Sequence, residues 1–436
     1  MLNESCITHT ETPTAAYVHI PFCRRRCYYC DFAVSVVGDR RHGENSGMIQ
    51  EYVNFLCEEI VNQRHFGLPL KTVFFGGGTP SLLSVQQFDR LMKTISDHLG
   101  IASDAEISVE MDPGTFDLGK LQGFVAAGAN RVSVGVQAFQ DDLLRLCGRS
   151  HTVADIWRAI DLINQVGVVN FSIDLISGLP HQTPEMMQES LDQVLSINPA
   201  HVSHYDLIVE PQTAFGRYYK PGEFPLPDDQ TTANLYRQAQ KCLTSRFKHY
   251  EISNYARPGF ECRHNLVYWH NQPYYGFGMG AASYVGGYRL TRPRTRDRYY
   301  QWLRSSGGGG ASESWLVSDS ADLRAAHLCV TAENYEAIAI ISREDFLLET
   351  LMLGLRLASG VDLLRLQQQF GEVAVSQITD ILKPYGDRGW VEVVYTEEEP
   401  DKPAKRHLRL TDPEGFLFSN TILADLFGHL QISDEV

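Results

Sequence analysis

The sequence lacks the features of membrane-spanning and exported proteins. No apolar run in its 436 residues approaches the ~20 residues that are needed to cross a bilayer. The first sixteen residues contain Glu4 and Glu11, no Lys or Arg and no apolar block, so they resemble neither a secretory signal nor an Arg-rich transit peptide. We therefore expect a cytoplasmic protein.

Positive charge is scarce, with 38 Lys and Arg against 53 Asp and Glu and a net charge of −15. Nucleic-acid binding depends on clustered Lys and Arg, so we expect no nucleic-acid partner. One local exception is an arginine run that consists of Arg289, Arg292, Arg294, Arg296 and Arg298. This run could pair with the carboxylates of an acidic ligand or with anionic lipid. A solvated loop is the alternative, so peripheral membrane contact stays an open question. The sequence also leaves open whether the protein is a dimer.

Cysteines are few, and nine is an odd number. Six of them stand singly, which is unlike the dense disulfide framework of a small secreted domain and fits reduced thiols. The other three, Cys23, Cys27 and Cys30, lie within eight positions of one loop.

The chain from residue 15 to 248 predicts an α/β domain, after an N-terminal tail of residues 1–14. Six apolar, β-branched runs alternate with amphipathic helical segments up to about residue 211. Such alternation implies parallel strands with right-handed crossovers. An eight-unit barrel would need more chain, so we predict a partial (β/α)6 barrel. A doubly wound open sheet stays open, because periodicity cannot say whether a sheet closes.

Polar residues and glycines follow four of the predicted strands, and ligands of parallel α/β folds bind at the carboxyl ends of strands. The candidates are Gly76, Gly77, Gly78, Thr79, Glu110, Gln137 and Asp174. The bare glycine backbone could approach an ammonium group of a ligand, and the carboxylates of Glu110 and Asp174 could accept hydrogen bonds from ribose hydroxyls or from an ammonium group. Gln137 could orient the ligand, and Arg149 could bind the carboxylate of the ligand. For each of these residues a purely structural role is the alternative.

The remaining chain predicts two further segments. Residues 249–340 are rich in aromatic residues and glycine, and we interpret them as a connecting region with a flexible insertion at residues 305–312. Residues 341–436 predict three helices, two strands and a final helix, which is the order of a small α+β, winged-helix-like domain. This segment holds 9 Lys and Arg against 17 Asp and Glu, so we expect a cap or docking domain rather than a DNA reader.

The three-cysteine loop predicts a metal centre. Structural zinc takes four ligands, and His19 would be the fourth. A 4Fe-4S cluster is the second alternative, because three protein ligands would leave one iron open to an exogenous molecule.

The C-x3-C-x2-C spacing, placed after the first strand of a β/α array, resembles the radical S-adenosylmethionine (SAM) superfamily. This resemblance implies a 4Fe-4S cluster held by Cys23, Cys27 and Cys30. It also implies that the open iron chelates the amino and carboxylate groups of SAM, which an electron from the cluster then cleaves. An electron donor such as flavodoxin or ferredoxin is an implied partner, and Arg24, Arg25 and Arg26 could meet its acidic surface.

The longer string Y-V-H-I-P-F-C-R-R-R-C-Y-Y-C-D-F, with G-G-G-T-P-S and H-N-L-V-Y-W, resembles the oxygen-independent coproporphyrinogen III oxidase group of that superfamily. The group also contains HemW-type haem chaperones, which bind haem and pass it to acceptor haemoproteins. The cysteine pattern of the oxidases is C-x3-C-x2-C-x-C, whereas this chain has Phe32 in place of the last cysteine. The oxidases also carry a longer segment before the cluster. The H-N-x-x-Y-W motif, residues 264–269, resembles a motif linked to haem in the chaperones.

The resemblance therefore favours a haem chaperone, with coproporphyrinogen decarboxylation as the alternative. His264 is the implied candidate for the haem iron, with Tyr268 and Trp269 packed on the macrocycle, and no catalytic residue is assigned. Beyond the resemblance, we hypothesise that the arginines from Arg292 to Arg298 meet the haem propionates. The SAM contacts that the resemblance implies are Tyr17, Gly77, Gly78, Thr79, Glu110, Gln137, Arg149 and Asp174.

Overall fold

The computed structural model describes residues 12–39, 41–63, 65–305, 337–340, 342–395 and 406–430. Its strands are β1 Ala15–Ile20, β2 Phe22–Cys23, β3 Ser35–Val36, β4 Leu70–Gly77, β5 Ile101–Met111, β6 Arg131–Gln137, β7 Phe171–Ser177, β8 His201–Asp206, β9 Lys248–Glu251, β10 Asn254–Ala256, β11 Tyr275–Phe277, β12 Ala282–Val285, β13 Tyr288–Thr291, β14 Ala337–Ile340, β15 Val361–Asp362, β16 Val391–Tyr395 and β17 Arg406–Leu410. Residues 1–11 of the predicted tail and all but the first residue of the predicted insertion lie outside the described residues.

The same residues form α-helices and a short 3-10 turn at Pro80–Leu82. In chain order the helices are α1 Gly47–Asn62, α2 Val85–Leu99, α3 Leu118–Ala126, α4 Asp141–Leu146, α5 Val153–Val166, α6 Pro184–Ile197, α7 Ala214–Tyr218, α8 Asp229–Leu243, α9 Arg263–Trp269, α10 Arg296–Ser305, α11 Arg343–Gly354, α12 Leu363–Phe370, α13 Glu372–Asp387, α14 Glu414–Leu417 and α15 Ser419–His429.

Six parallel strands form the centre of the main sheet, in the order β1-β4-β5-β6-β7-β8. All five pairings between them are parallel, and the order follows the chain without a reversal. Right-handed crossovers that always move in one direction place the connecting helices on one side of the sheet. The predicted partial (β/α)6 barrel is confirmed, and the doubly wound alternative is wrong because it would need a reversal of strand order.

Local sequence signals start and end the connecting helices. The Ser84 hydroxyl accepts a hydrogen bond from the Gln87 N–H, and the Gln87 side chain accepts one from the Ser84 N–H, which is a capping box at the start of α2. Thr183 caps α6, Pro184 occupies its first turn, and Asn198 ends it in the left-handed conformation. Both helices belong to the amphipathic helical segments that were predicted to alternate with the strands.

Residues 249–305 complete the sheet on both edges, although we predicted them as a connecting region. The strand β11 pairs in parallel with β1, with Tyr275 opposite Ala16, at one edge. At the other edge the hairpin of β9 and β10 pairs antiparallel with β8. These strands are only three or four residues long, so their periodicity was too brief to predict them.

The C-terminal domain packs around its own core. Buried residues of α11 to α15 and of the three-stranded sheet β15-β17-β16 form one hydrophobic cluster, which is separate from the cluster of the barrel. Two bidentate ion pairs join the domains, from Arg237 to Glu414 and from Arg289 to Glu349. The predicted helices and antiparallel strand pair of a winged-helix-like domain are therefore present. No helix among the described residues combines the length and the apolar character that a membrane span requires.

Candidate functional site

A cavity of about 370 Å³ opens at the carboxyl ends of the barrel strands. The cysteine loop, the glycine corner after β4 and the ends of β5, β6 and β7 all contribute to its wall. The predicted site residues that line it are Cys23, Cys27, Cys30, Gly77, Gly78, Thr79, Glu110, Gln137, Arg149 and Asp174. The fold thus brings these ten residues, which we selected from sequence, together around one cavity.

The cysteine loop is fixed at its base and turns within itself. The short strands β2 and β3 pair in parallel, which places Cys23 opposite Val36. The N–H of Cys30 donates to the carbonyl of Cys27 at 3.2 Å, which closes a turn between the second and third cysteines. Burial raises the pKa of the Cys23 thiol to about 12 and also raises the pKa of Cys30. Both thiols are protonated at neutral pH unless a cation stabilises the thiolate.

The glycine corner leaves no room for side chains. Gly77 has φ +109°, and a Cβ atom there would stand 2.3 Å from the ring of His19. A Cβ atom on Gly78 would stand 2.7 Å from the carbonyl of Phe22. The N–H of Gly77 donates to Oε2 of Glu110 at 3.0 Å. Only glycine lets β4 end this close to the cysteine loop, and the corner presents bare backbone to the cavity.

Two carboxylates lie deep in the cavity. Burial, and next the charge of Asp174, raise the pKa of Glu110 to about 8. Burial also raises the pKa of Asp174. Hydrogen bonds from hydroxyl groups lower it in part, such as the bond from the Ser133 hydroxyl to Oδ2 of Asp174 at 2.9 Å. These carboxyls are suited to a cationic ligand, because a positive charge or a hydroxyl donor would stabilise their ionised forms.

The guanidinium of Arg149 is already bound by protein groups. It donates to Oδ1 of Asp112 at 2.5 Å, to the carbonyl of Gly135 at 2.9 Å and to Sγ of Cys27 at 3.4 Å. Arg149 therefore ties the cysteine loop to the ends of β5 and β6.

Gln137 adopts a backbone conformation that is uncommon outside glycine, with φ +70°. The pairing of β6 with β7 shifts register between Gly135 and Gln137, which is a β-bulge. This bulge ends β6 and brings Gln137 to the cavity wall. Strained residues of this kind concentrate at functional sites.

Tyr17 and His264 lie outside the first cavity and line a second one of about 210 Å³. Glu110 and Asp174 line both cavities, so the two adjoin. The hydroxyl of Tyr17 is 3.0 Å from Nδ1 of His19. The second cavity lies between the predicted SAM site and the H-N-x-x-Y-W motif.

Both ring nitrogens of His264 have hydrogen-bonding partners inside the barrel. Nδ1 is 2.9 Å from the Thr72 hydroxyl, and Nε2 is 2.8 Å from the Tyr268 hydroxyl. Its ring stacks on Phe74 with centroids 5.2 Å apart. Burial lowers the pKa of His264 to about 3. In this conformation neither ring nitrogen of His264 is available to a metal, although His264 is the first residue of the H-N-x-x-Y-W motif.

Tyr268 and Trp269 face different cavities. Tyr268 lines the second cavity, whereas Trp269 lines a groove of about 270 Å³ between the barrel and the C-terminal domain. Adjacent residues on a helix point about 100° apart, so the two rings do not line the same cavity in this structure.

Part of the arginine run is structural. Arg292 is 2% exposed, and its Nε donates at 2.8 Å to Glu59, which is 4% exposed. Arg289 pairs with Glu349 of the C-terminal domain. The prediction that Arg292 meets haem propionates is wrong, since the residue is enclosed in the core, whereas Arg298 is exposed.

Comparison with known proteins gives the family. The Radical SAM superfamily matches residues 17–194, and the HemN C-terminal domain matches residues 341–393. A protein of Synechocystis named "Heme chaperone HemW" is 46% identical over 426 residues, which cover 96% of this chain and 97% of that protein. The chain belongs to the HemW family of radical SAM proteins. The Bacillus subtilis "Heme chaperone HemW" is 35% identical and covers 86% of this chain and 92% of its own length.

The HemW fold of this chain also resembles a solved enzyme. Coproporphyrinogen III oxidase (HemN) from Escherichia coli aligns with a TM-score of 0.75 at 25% identity, over 97% of this chain and 92% of the enzyme. Fold similarity therefore extends through both domains.

The residues of this HemW chain fit the cofactors of the superfamily. All seven cysteines in the described residues are free, and only three of these seven line the cavity. Within the described part of the chain, no three His, Cys, Asp or Glu side chains are grouped to hold a single metal ion. A zinc site needs side chains that converge on one ion. A 4Fe-4S cubane does not, because each of its cysteines binds a different iron. The bare glycine backbone and buried carboxyls beside the cysteines suit a cationic ligand.

Sequence reasoning missed several residues of the cavity wall, among them Asp112, Tyr205 and Asp206. Asp112 stands two positions after Glu110, and residues two apart on a strand share a face, so alternation could have identified it. Tyr205 and Asp206 end β8, where the same rule about carboxyl ends of strands applies.

Proposed function

We propose that this chain is a haem chaperone that binds a 4Fe-4S cluster and SAM, binds haem and delivers it to haemoproteins. The observation that carries this proposal is the 46% identity to "Heme chaperone HemW" over nearly the whole chain. Haem would be the cargo of the protein, and acceptor haemoproteins its partners.

Phe32 supports the chaperone over the oxidase. Its side chain is 58% exposed and lines the cavity beside the three cysteines, at the position where the oxidase pattern has a further cysteine. An apolar ring there offers no thiol to cofactor or substrate.

In this proposal Cys23, Cys27 and Cys30 hold the cluster, which supplies the electron that cleaves SAM. Gly77, Gly78 and Thr79 receive the ligand along the backbone after β4. The remaining groups that we assign to SAM are Tyr17, Glu110, Gln137, Arg149 and Asp174. Arg149 would act mainly by holding Asp112 and the cysteine loop, given its hydrogen bonds.

An acidic electron donor such as flavodoxin or ferredoxin would dock near the loop. Arg25 is exposed and pairs with Asp39, and Arg26 is exposed and donates to the carbonyl of Phe32 at 2.8 Å. Both cations thus lie at the surface that covers the cluster site. We also infer a cytoplasmic location, in which free thiols stay reduced.

The test is anaerobic reconstitution of the full chain with iron and sulfide, followed by titration with hemin and by mixing with an apo-haemoprotein. We expect iron and sulfide in the amounts of one 4Fe-4S cluster, stoichiometric hemin binding and transfer of hemin to the acceptor. A reconstituted protein that binds no hemin would exclude the chaperone function.

Coproporphyrinogen III oxidase is the second candidate, because the solved enzyme matches both domains in fold. Incubation of the same reconstituted protein with coproporphyrinogen, SAM and a reductant separates the two. Formation of protoporphyrinogen would establish the oxidase, whereas unchanged coproporphyrinogen beside bound hemin would support the chaperone.

A further inference from the structure

A groove of about 270 Å³ lies where the end of the H-N-x-x-Y-W helix meets the C-terminal domain. Trp269 and His270 form its barrel side, and residues of α11, α12 and β17 form the other side. Buried apolar side chains, among them Phe346, Val361 and Leu366, line its inner part. The groove thus combines an apolar interior with polar groups at its rim.

His270 differs from His264 in the availability of its ring. Neither ring nitrogen of His270 forms a hydrogen bond with another described residue, and the side chain belongs to an exposed residue at the rim of the groove. Burial of part of the ring, and next the charge of Arg365, lower the pKa of His270. A lowered pKa favours the neutral ring, and the neutral imidazole is the form that ligates a metal.

The opposite side of the groove carries two donors, His407 and Arg365, and one carboxylate, that of Asp362, which caps the start of α12. Nδ1 of His407 is buried and has no hydrogen-bonding partner among the described residues. A buried nitrogen without a partner is costly, and a ligand carboxylate would accept a hydrogen bond from it. Arg365 also lines the groove, close enough to His270 to act on its charge.

The floor of the groove depends on two glycines. A Cβ atom on Gly354 would stand 2.4 Å from Cγ1 of Val361, and one on Gly360 would stand 2.2 Å from the carbonyl of Leu408. Gly360 also has φ +68°. These two glycines therefore let α11 and the turn before β15 pack closely against β15 and β17 beneath the groove.

We propose that haem docks in this groove, with its iron on His270 and its propionates toward Arg365 and His407. This inference rests on the proposed haem-chaperone function and assigns the cargo to a place outside the barrel. Only part of a macrocycle fits within the groove, so the rest stays exposed and accessible to an acceptor. His264 instead positions α9, whose end carries Trp269 and His270.

The reconstituted full chain is titrated with hemin, and binding is followed by the Soret absorbance. We expect His270→Ala to weaken binding at least tenfold and to remove the spectral signature of a nitrogen axial ligand. Imidazole added to His270→Gly should restore that signature, which a merely structural role of His270 would not allow. Arg365→Gln should weaken binding several-fold without changing the spectrum.

His429→Ala is the matched control, because His429 is an exposed histidine of the C-terminal domain that does not line the groove. We expect it to bind hemin as the wild type does. Wild-type affinity and spectrum in His270→Ala would overturn the groove site while leaving the haem-chaperone function in place. A wild-type protein that binds no hemin would instead overturn the proposed function itself.

Discussion

The backbone N–H of His264 donates to Oε1 of Glu106 across 3.2 Å, although the two residues are 158 positions apart in the chain. The other oxygen of Glu106 accepts from the N–H of Arg263 at 3.1 Å. One carboxylate of β5 therefore caps the amino end of α9. This contact fixes α9 against β5.

We predict that Glu106→Ala lowers the free energy of unfolding by about 3 kcal/mol. The change leaves two backbone donors of α9 unsatisfied and removes a negative charge near Arg131, which is 2% exposed. Urea denaturation measured by circular dichroism checks this value. Glu58→Ala is the control, since Glu58 is an exposed residue of α1, and it should change stability by less than about 0.5 kcal/mol. Equal stability of the two variants would contradict the capping role.

The buried pair of Arg292 and Glu59 leads to a second prediction. Arg292→Ala leaves the charge of Glu59 buried without its partner, so we expect a loss of about 3 to 5 kcal/mol in the free energy of unfolding. Arg298→Ala, in the same run, alters an exposed residue and should cost less than about 0.5 kcal/mol. Thermal denaturation of both variants measures the difference. A stable Arg292→Ala protein with weakened hemin binding would instead support a ligand-binding role for this residue.

The sequence was informative where structure is local and uninformative where it depends on distant contacts. The six parallel strands and their polar ends were predicted because each unit carries its own apolar period, and the cysteine spacing needed no knowledge of the fold. The pairing of Tyr275 with Ala16 joins positions about 260 apart, and nothing in three residues indicates that partner. The same limit explains His264, whose partner Thr72 is 192 positions away.

Cys147 gives a third prediction about the number of cluster ligands. Its thiol is 1% exposed, and burial, and next the charge of Cys27, raise its pKa to about 12. Cys147 does not line the cavity, so we expect Cys147→Ala to keep the iron and sulfide content of the wild type after reconstitution. Cys23→Ala, Cys27→Ala and Cys30→Ala should each lose the cluster. The backbone carbonyl of Cys147, which accepts from the N–H of Tyr28 at 3.0 Å, is retained in the control. Loss of iron in Cys147→Ala would indicate a fourth thiolate ligand and no open iron for SAM.

Glu110 gives a prediction about pH. Its pKa of about 8 means that the carboxyl is mostly protonated at pH 6 and mostly ionised at pH 9. A cationic ligand such as SAM prefers the ionised carboxylate, so SAM affinity should rise as pH increases toward 8 and level off above it. Below the pKa of Glu110 the SAM affinity can rise by about tenfold per pH unit, because SAM binding then releases one proton from the carboxyl. Equilibrium dialysis of the reconstituted protein with SAM measures this profile.

Glu110→Gln separates the titration of this carboxyl from that of SAM. The amide oxygen can still accept the hydrogen bond from the N–H of Gly77, but the side chain no longer ionises. Any pH dependence that remains in this variant belongs to SAM or to other groups, such as Asp174. We expect the variant to bind SAM more weakly than the wild type at pH 9 and to approach it at pH 6, where both side chains are neutral. Identical pH profiles for the two proteins would show that Glu110 does not contact the cationic ligand.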